Sequence, residues 1–256
     1  IAAGSEIRLV PFLVLMAGGF LITFAANILN DILEADYDRM MERTSNRPLA
    51  AKRWSPSSAL VIAGIFSLFG IILLALLNPL TSFLGTLSLV TYAFLYTPLK
   101  RYSPVSVIVG AIPGALPVLI GMIAHDGVVT TGALFLFAIQ FIWQFPHFWS
   151  IGFLSYDQYK HAGYKLLPED DGQIDRRLGT QTLVYTCLLI PVIAIGFIMQ
   201  LISIWGAIGL VLVSSYFIWR AWVFYRRFDK ASARALMFSS FIFLPLALLV
   251  LWWGIQ

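Results

Sequence analysis

Eight apolar runs follow one another along this 256-residue chain, at approximately 9–30, 57–77, 80–97, 104–124, 131–154, 181–201, 204–224 and 235–254. Each is near the ~20 residues that an α-helix needs to cross a hydrocarbon layer of ~30 Å. In lipid no water is at hand for backbone N–H and C=O groups, so runs of this length are expected to satisfy them internally as helices. The expected fold class is therefore all-α, a polytopic membrane bundle with eight transmembrane helices. With 59% hydrophobic and 12% charged residues, a soluble domain is excluded. Asn78-Pro79 separates the second run from the third by a minimal hairpin. Pro113, Pro117, Pro146, Pro191 and Pro245 fall inside spans, where neighbouring helices re-satisfy the freed carbonyls. Cys187 is the single cysteine, which leaves no intrachain disulfide and no cysteine-based metal site.

The charges set an orientation. Every Lys and Arg except Arg8 lies at or after the first, third, fifth or seventh span, from Arg39, Arg43, Arg47, Lys52 and Arg53 to Arg226, Arg227, Lys230 and Arg234. By the positive-inside rule those loops are cytoplasmic and both ends of this chain external. A net charge of +4 would suggest nucleic acid in a soluble protein. Here it is a topology signal, and no nucleic-acid partner is expected. Most acidic residues share the basic face, which is the pattern of a catalytic or binding face rather than of a lipid anchor.

The stretch from Asn30 to Pro48, NDILEADYDRMMERTSNRP, gathers five of those acidic residues, Asp31, Glu34, Asp36, Asp38 and Glu42. At about 100° per residue, four-residue steps advance only about 40°, so Asn30, Glu34 and Asp38 line one helix face over roughly 12 Å. Asp36 points elsewhere. A row of oxygen donors suits a hard divalent cation such as Mg2+, which takes its remaining ligands from water and substrate phosphates. Arg43 and Arg47 would then meet phosphate oxygens. The competing reading is a solvated face with i,i+4 ion pairs, but like charges at that spacing repel unless a cation sits between them.

Two further loops carry chemistry. YTPLKR places Tyr96 and Lys100 as i,i+4 neighbours if the helix persists through Pro98, with Lys100 and Arg101 available to a diphosphate or serving only as topology signals. The GAIPGALP that follows has the small residues of a close helix contact. The fifth span ends in QFIWQFPHFW, where Gln140, Gln144 and His147 share one face and aromatics including Trp149 could flank a large planar substrate. Beyond it, Asp157, Lys160 and His161 offer a second metal or diphosphate station. His125 is incidental, and Glu169, Asp170, Asp171 and Asp175 form a solvated loop.

NDxxExxxD followed by ERTxNRP resembles the first acidic motif of the UbiA superfamily of intramembrane prenyltransferases. WQFPHFW…DQYKHAGYKLLP and YTPLKR with GAIPGALP are similar to the branch that farnesylates haem. The resemblance runs in order from about residue 15 to at least 180, and the last three spans match in number and length only. It implies nine helices in one domain, with active-site loops on the cytoplasmic face. Residues 1–256 would form that domain without the first family helix, a loss that fits the loop parity.

The resemblance implies Mg2+ held by Asn30, Glu34, Asp38 and Asp157, and catalysis by Asn30, Glu34, Asp38, Tyr96 and Lys100. It implies diphosphate binding by Arg43, Arg47, Lys100 and Arg101, and haem binding by His147, Gln144 and Trp149. The substrates would be farnesyl diphosphate and haem B. The bilayer would be the bacterial cytoplasmic membrane, or the mitochondrial inner membrane, with haem A synthase or terminal oxidase assembly as neighbours. Two departures stand out: Glu34 replaces the usual Asp, and Asp157 is followed by Gln158 where another acid is common. The alternatives are a UbiA-type enzyme acting on an aromatic quinone precursor and, from another class, a transporter. A transporter would carry charges in mid-helix and an internal repeat.

Overall fold

The structure, a computed structural model, describes residues 8–254. Among them eight helical spans are long and apolar enough to cross a membrane, one for each apolar run. The chain forms two compact units. One holds the described residues up to Thr130 together with Tyr156–Leu166, and the other holds Thr131–Ser155 together with Leu167 onward.

In the first unit α1 (Leu9–Asp38) packs on α2 (Pro56–Ala75) and α3 (Pro79–Val90). Its 30 residues extend about 45 Å, so it outruns the hydrocarbon layer and carries its acidic face past the edge. The start of α2 is set by Ser55, which accepts from Ser58 N–H at 3.0 Å, followed by Pro56 at the first helical position. Asn78 does the same for α3, accepting from Thr81 N–H at 2.8 Å and donating to the Ile123 carbonyl at 3.0 Å.

The third span does not stop at Pro98. It widens into a π-helical turn over Thr91–Tyr96 and resumes as α4 (Thr97–Leu99). Pro98 has no N–H to give to the preceding turn, and the wider register lets Thr97 N–H reach the Tyr92 carbonyl. The span then packs on α5 (Ser106–Asp126). A Cβ at Gly110 would lie 2.6 Å from the Tyr96 ring, so this contact requires glycine. The unit closes with α7 (Tyr156–His161), beyond which Lys165 N–H donates to the Lys100 carbonyl at 2.8 Å.

The second unit packs α6 (Thr131–Leu154) against α8 (Arg177–Cys187) and α11 (Lys230–Gly254), with α9 (Leu189–Ile198) and α10 (Ile204–Arg227) completing it. The sixth span is interrupted at Leu188, where Pro191 cannot donate to the turn before it. At the far end of α11, Gly206 and Gly254 touch backbone to backbone. The acidic loop, expected to be solvated, exposes Glu169, Asp170 and Asp171 and carries a short hairpin of β1 (Glu169–Asp170) and β2 (Gln173–Ile174). Asp171 and Gly172 turn it with positive φ, the conformation that an Asp-Gly hairpin turn favours.

Candidate active site

The row on α1 forms as the spacing predicts. Asn30, Glu34 and Asp38 are buried, at 5%, 4% and 1% exposure, whereas Asp36 faces outward and pairs with Arg39 at 2.7 Å. Cations are brought to the row from elsewhere in the unit. Lys100 Nζ lies 2.7 Å from Glu34 Oε1, and Arg47 bridges Asp38 Oδ2 and Asp31 Oδ1 at 2.9 Å each. Glu34 Oε2 accepts from Asn30 Nδ2 at 2.8 Å, and Thr44 Oγ1 donates to the Asp38 carbonyl at 3.1 Å. The repulsion expected between i,i+4 carboxylates is thus offset by cations of the chain itself.

These groups surround a cavity of about 180 Å³ lined by Asn30, Glu34, Asp38, Arg43, Arg47 and Lys100, with Tyr92, Tyr96, Tyr159 and Tyr164 among the remaining walls. Lys100 Nζ faces the Tyr96 and Tyr164 rings at 4.9 and 5.6 Å. Burial pulls the Lys100 pKa below its ordinary value, with Glu34 acting in the opposite direction. Burial also disfavours the Arg47 charge, but Asp31 and Asp38 outweigh it and hold the guanidinium above its usual range. The Tyr164 hydroxyl is pushed up by burial and by the Glu34 charge.

Among the described residues no group of three or more His, Cys, Asp and Glu forms a closed metal site. The donor set does fit Mg2+: one amide and two carboxylate side chains, all oxygen ligands, with further ligands left to water and phosphate. Arg101 and Asp157 are not among the cavity walls. Arg101 stacks on Tyr37 at 3.9 Å and donates to the Leu33 carbonyl, bracing the end of α1, while Asp157 lies on the short helix α7. Tyr159 and Tyr164, from the same block as Asp157, reach the cavity instead. Tyr92 was legible in principle, because Tyr92, Tyr96 and Lys100 follow one another at four-residue steps. Thr44, Tyr159 and Tyr164 carry no such signal.

His147, Gln144 and Trp149 belong to the second unit and are all buried there. His147 stacks on Trp143 at 5.0 Å, meets Phe241 edge-on, and has Nδ1 2.8 Å from Ser240 Oγ. Ser240 donates its one proton to the Met237 carbonyl at 2.5 Å, so its oxygen accepts from Nδ1–H and Nε2 keeps its lone pair. Ser240 was not foreseen from the sequence. Trp149 packs against Phe145 and Tyr185 at 5.4 and 5.1 Å.

The UbiA prenyltransferase family model matches residues 1–252. A protoheme IX farnesyltransferase of Cytophaga hutchinsonii is 39% identical over 241 residues, spanning 94% of this chain and 83% of that protein. One of the same name from Flavobacterium johnsoniae is 39% identical over 244 residues, spanning 93% and 80%. Among solved structures, a digeranylgeranylglyceryl phosphate synthase has a TM-score of 0.81 at 19% identity, covering 97% of this chain and 87% of its own. A UbiA homologue from Archaeoglobus fulgidus bound to GPP and Mg2+ has a TM-score of 0.63 at 16% identity, covering 92% and 88%. At those identities the solved structures show a shared fold.

Proposed function

This chain belongs to the UbiA prenyltransferase family, and on that premise we propose that it transfers the farnesyl group of farnesyl diphosphate to a vinyl group of haem B, in a Mg2+-dependent reaction. It is a multi-pass membrane prenyltransferase, and we place it in the bacterial cytoplasmic membrane. The observation that carries the reading is the buried Asn30–Glu34–Asp38 row facing Arg43, Arg47 and Lys100 across one cavity.

Asn30, Glu34 and Asp38 would hold the metal. When bound, Mg2+ offsets the negative charge that grows on the diphosphate as the allylic C–O bond breaks. Arg43, Arg47 and Lys100 grip the diphosphate oxygens, Arg with its planar fork and Lys as a point charge. Counting the charged side chains on the cavity walls, three cations face two carboxylates, so the site attracts an anion before any metal is added. The tyrosine rings around Lys100 turn π-faces toward positive charge, which suits a wall near an allylic cation. That cation forms a C–C bond with the vinyl carbon. Water then captures the resulting haem-side cation and loses a proton, leaving a hydroxyethylfarnesyl side chain.

His147 is the haem-orienting residue in this proposal. With Nδ1–H held by Ser240, Nε2 presents the lone pair that a haem iron or a substrate hydrogen bond requires. The names of the relatives support haem as the acceptor. The test is to incubate the purified chain in detergent with haem B, farnesyl diphosphate and Mg2+ and to look for haem O by mass. Product that forms with Mg2+, disappears on chelation and is absent in Glu34→Ala supports the assignment. A prenylated quinone precursor in place of haem O would refute the acceptor.

A further inference from the structure

We infer that Thr97 is a positioning residue that fixes which end of the Asn30 amide faces the cavity. The inference rests on the reading above, in which Asn30 contributes to the metal station. Asn30 Nδ2 carries two hydrogens and makes two contacts, to Glu34 Oε2 at 2.8 Å and to Thr97 Oγ1 at 3.1 Å. Thr97 carries one hydroxyl hydrogen, and it goes to the Tyr92 carbonyl at 2.9 Å. The Thr97 oxygen can therefore only accept from Asn30, and it is compatible with the NH2 end of the amide alone.

Flipping the amide would set Oδ1 against a carboxylate and against a hydroxyl whose proton is already spoken for. Both neighbours thus select one orientation, in which Oδ1 is the amide atom left for the cavity that Asn30 lines.

The π-helical turn makes this arrangement available. The Tyr92 carbonyl accepts both the Thr97 N–H and the Thr97 hydroxyl, five residues on. Thr97 is fully buried, at 0% exposure, so no water can substitute for it without rearrangement. The widened turn thereby links the third span to the oxygen row on α1, and π-turns of this sort are frequent at functional sites. Partners that orient a metal ligand typically change metal affinity by 10- to 100-fold when removed. Glu34 still holds the other Nδ2 hydrogen, so the lower end, about tenfold, is expected.

The test is Mn2+ binding, read from loss of the free-ion EPR signal on titrating the full chain in detergent without substrates. Mn2+ favours the same oxygen octahedron as Mg2+. Thr97→Val keeps the shape and removes the hydroxyl, Thr97→Ser keeps the hydroxyl and removes the methyl, and Thr97→Ala serves if the valine variant does not fold. Roughly tenfold weaker Mn2+ binding in Thr97→Val or Thr97→Ala, with Thr97→Ser within about threefold of wild type, supports the inference. Wild-type binding in the variants that lack the hydroxyl overturns it, as does equal weakening in Thr97→Ser, which would assign the effect to the methyl. Glu34→Ala separates this failure from that of the metal station: if the wild-type chain binds Mn2+ no better than Glu34→Ala, the station itself is wrong and the Thr97 role falls with it.

Discussion

Replacing Glu34 with Gln leaves an acceptor for Asn30 but strips Lys100 of its nearest counter-charge, leaving only the weaker pull of Asp38. At 2.7 Å and an effective dielectric of ~20, the attraction lost is about 6 kcal/mol before desolvation is counted. The fold does not lose all of it, because a lysine can shed its proton. Neutralising a lysine of pKa ~10.4 at pH 7 costs about 4.6 kcal/mol, at 1.36 kcal/mol per unit, and this caps the penalty. The expected destabilisation at pH 7 is therefore about 3 to 4.5 kcal/mol, in the range for a buried pair broken on one side. The side chains concerned are only 12% and 5% exposed, so solvent screening does not erase it.

The pH dependence identifies the cause. In the variant the folded pKa of Lys100 lies further below its unfolded value than in wild type, so the unfolded chain binds more protons and stability rises with pH. The gap between wild type and Glu34→Gln should shrink to below about 2 kcal/mol by pH 9, since the cap falls by about 1.4 kcal/mol per unit. Reversible unfolding in mixed detergent micelles, followed by tryptophan fluorescence at pH 7 and pH 9, measures it. Glu34→Gln combined with Lys100→Met should show no such narrowing. A gap under about 1 kcal/mol at pH 7, or one that does not narrow, would refute the idea that Lys100 is held charged by Glu34.

Arg47→Ala removes the guanidinium that joins Asp31 to Asp38 and that, in the proposed reaction, grips diphosphate, so KM for farnesyl diphosphate should rise by about 10- to 100-fold, the cost of one or two charge-assisted hydrogen bonds. Steady-state kinetics checks this, and Arg47→Lys should recover only part because it cannot bridge both carboxylates. His147→Ala should weaken haem binding and shift the absorption of bound haem while leaving farnesyl diphosphate affinity within about twofold, as read by difference spectra and prenyl diphosphate titration. Gly110→Ala places a methyl against the Tyr96 ring and should lower stability by about 1 to 3 kcal/mol, visible in the same micelle assay.

The number, lengths and order of the spans were legible in the chain because a bilayer leaves a long apolar run little other than a helix. The acidic row was legible too, since helical periodicity alone puts Asn30, Glu34 and Asp38 on one face. What neutralises that row was not. Lys100 lies 66 positions from Glu34, and only the packing of α1 against the third span decides that it lands on Glu34 while Arg101, its neighbour, turns to the end of α1 and stacks on Tyr37. Thr97 is the sharpest case. Its sequence context leaves open whether the helix persists through Pro98, and nothing in it points to Asn30, which its hydroxyl meets where the span widens into the π-turn. Local sequence sets which faces are polar, through a period that each helix carries by itself. Which opposite charge or hydroxyl meets each face depends on crossings between helices distant along the chain, and those are settled only when the helices pack.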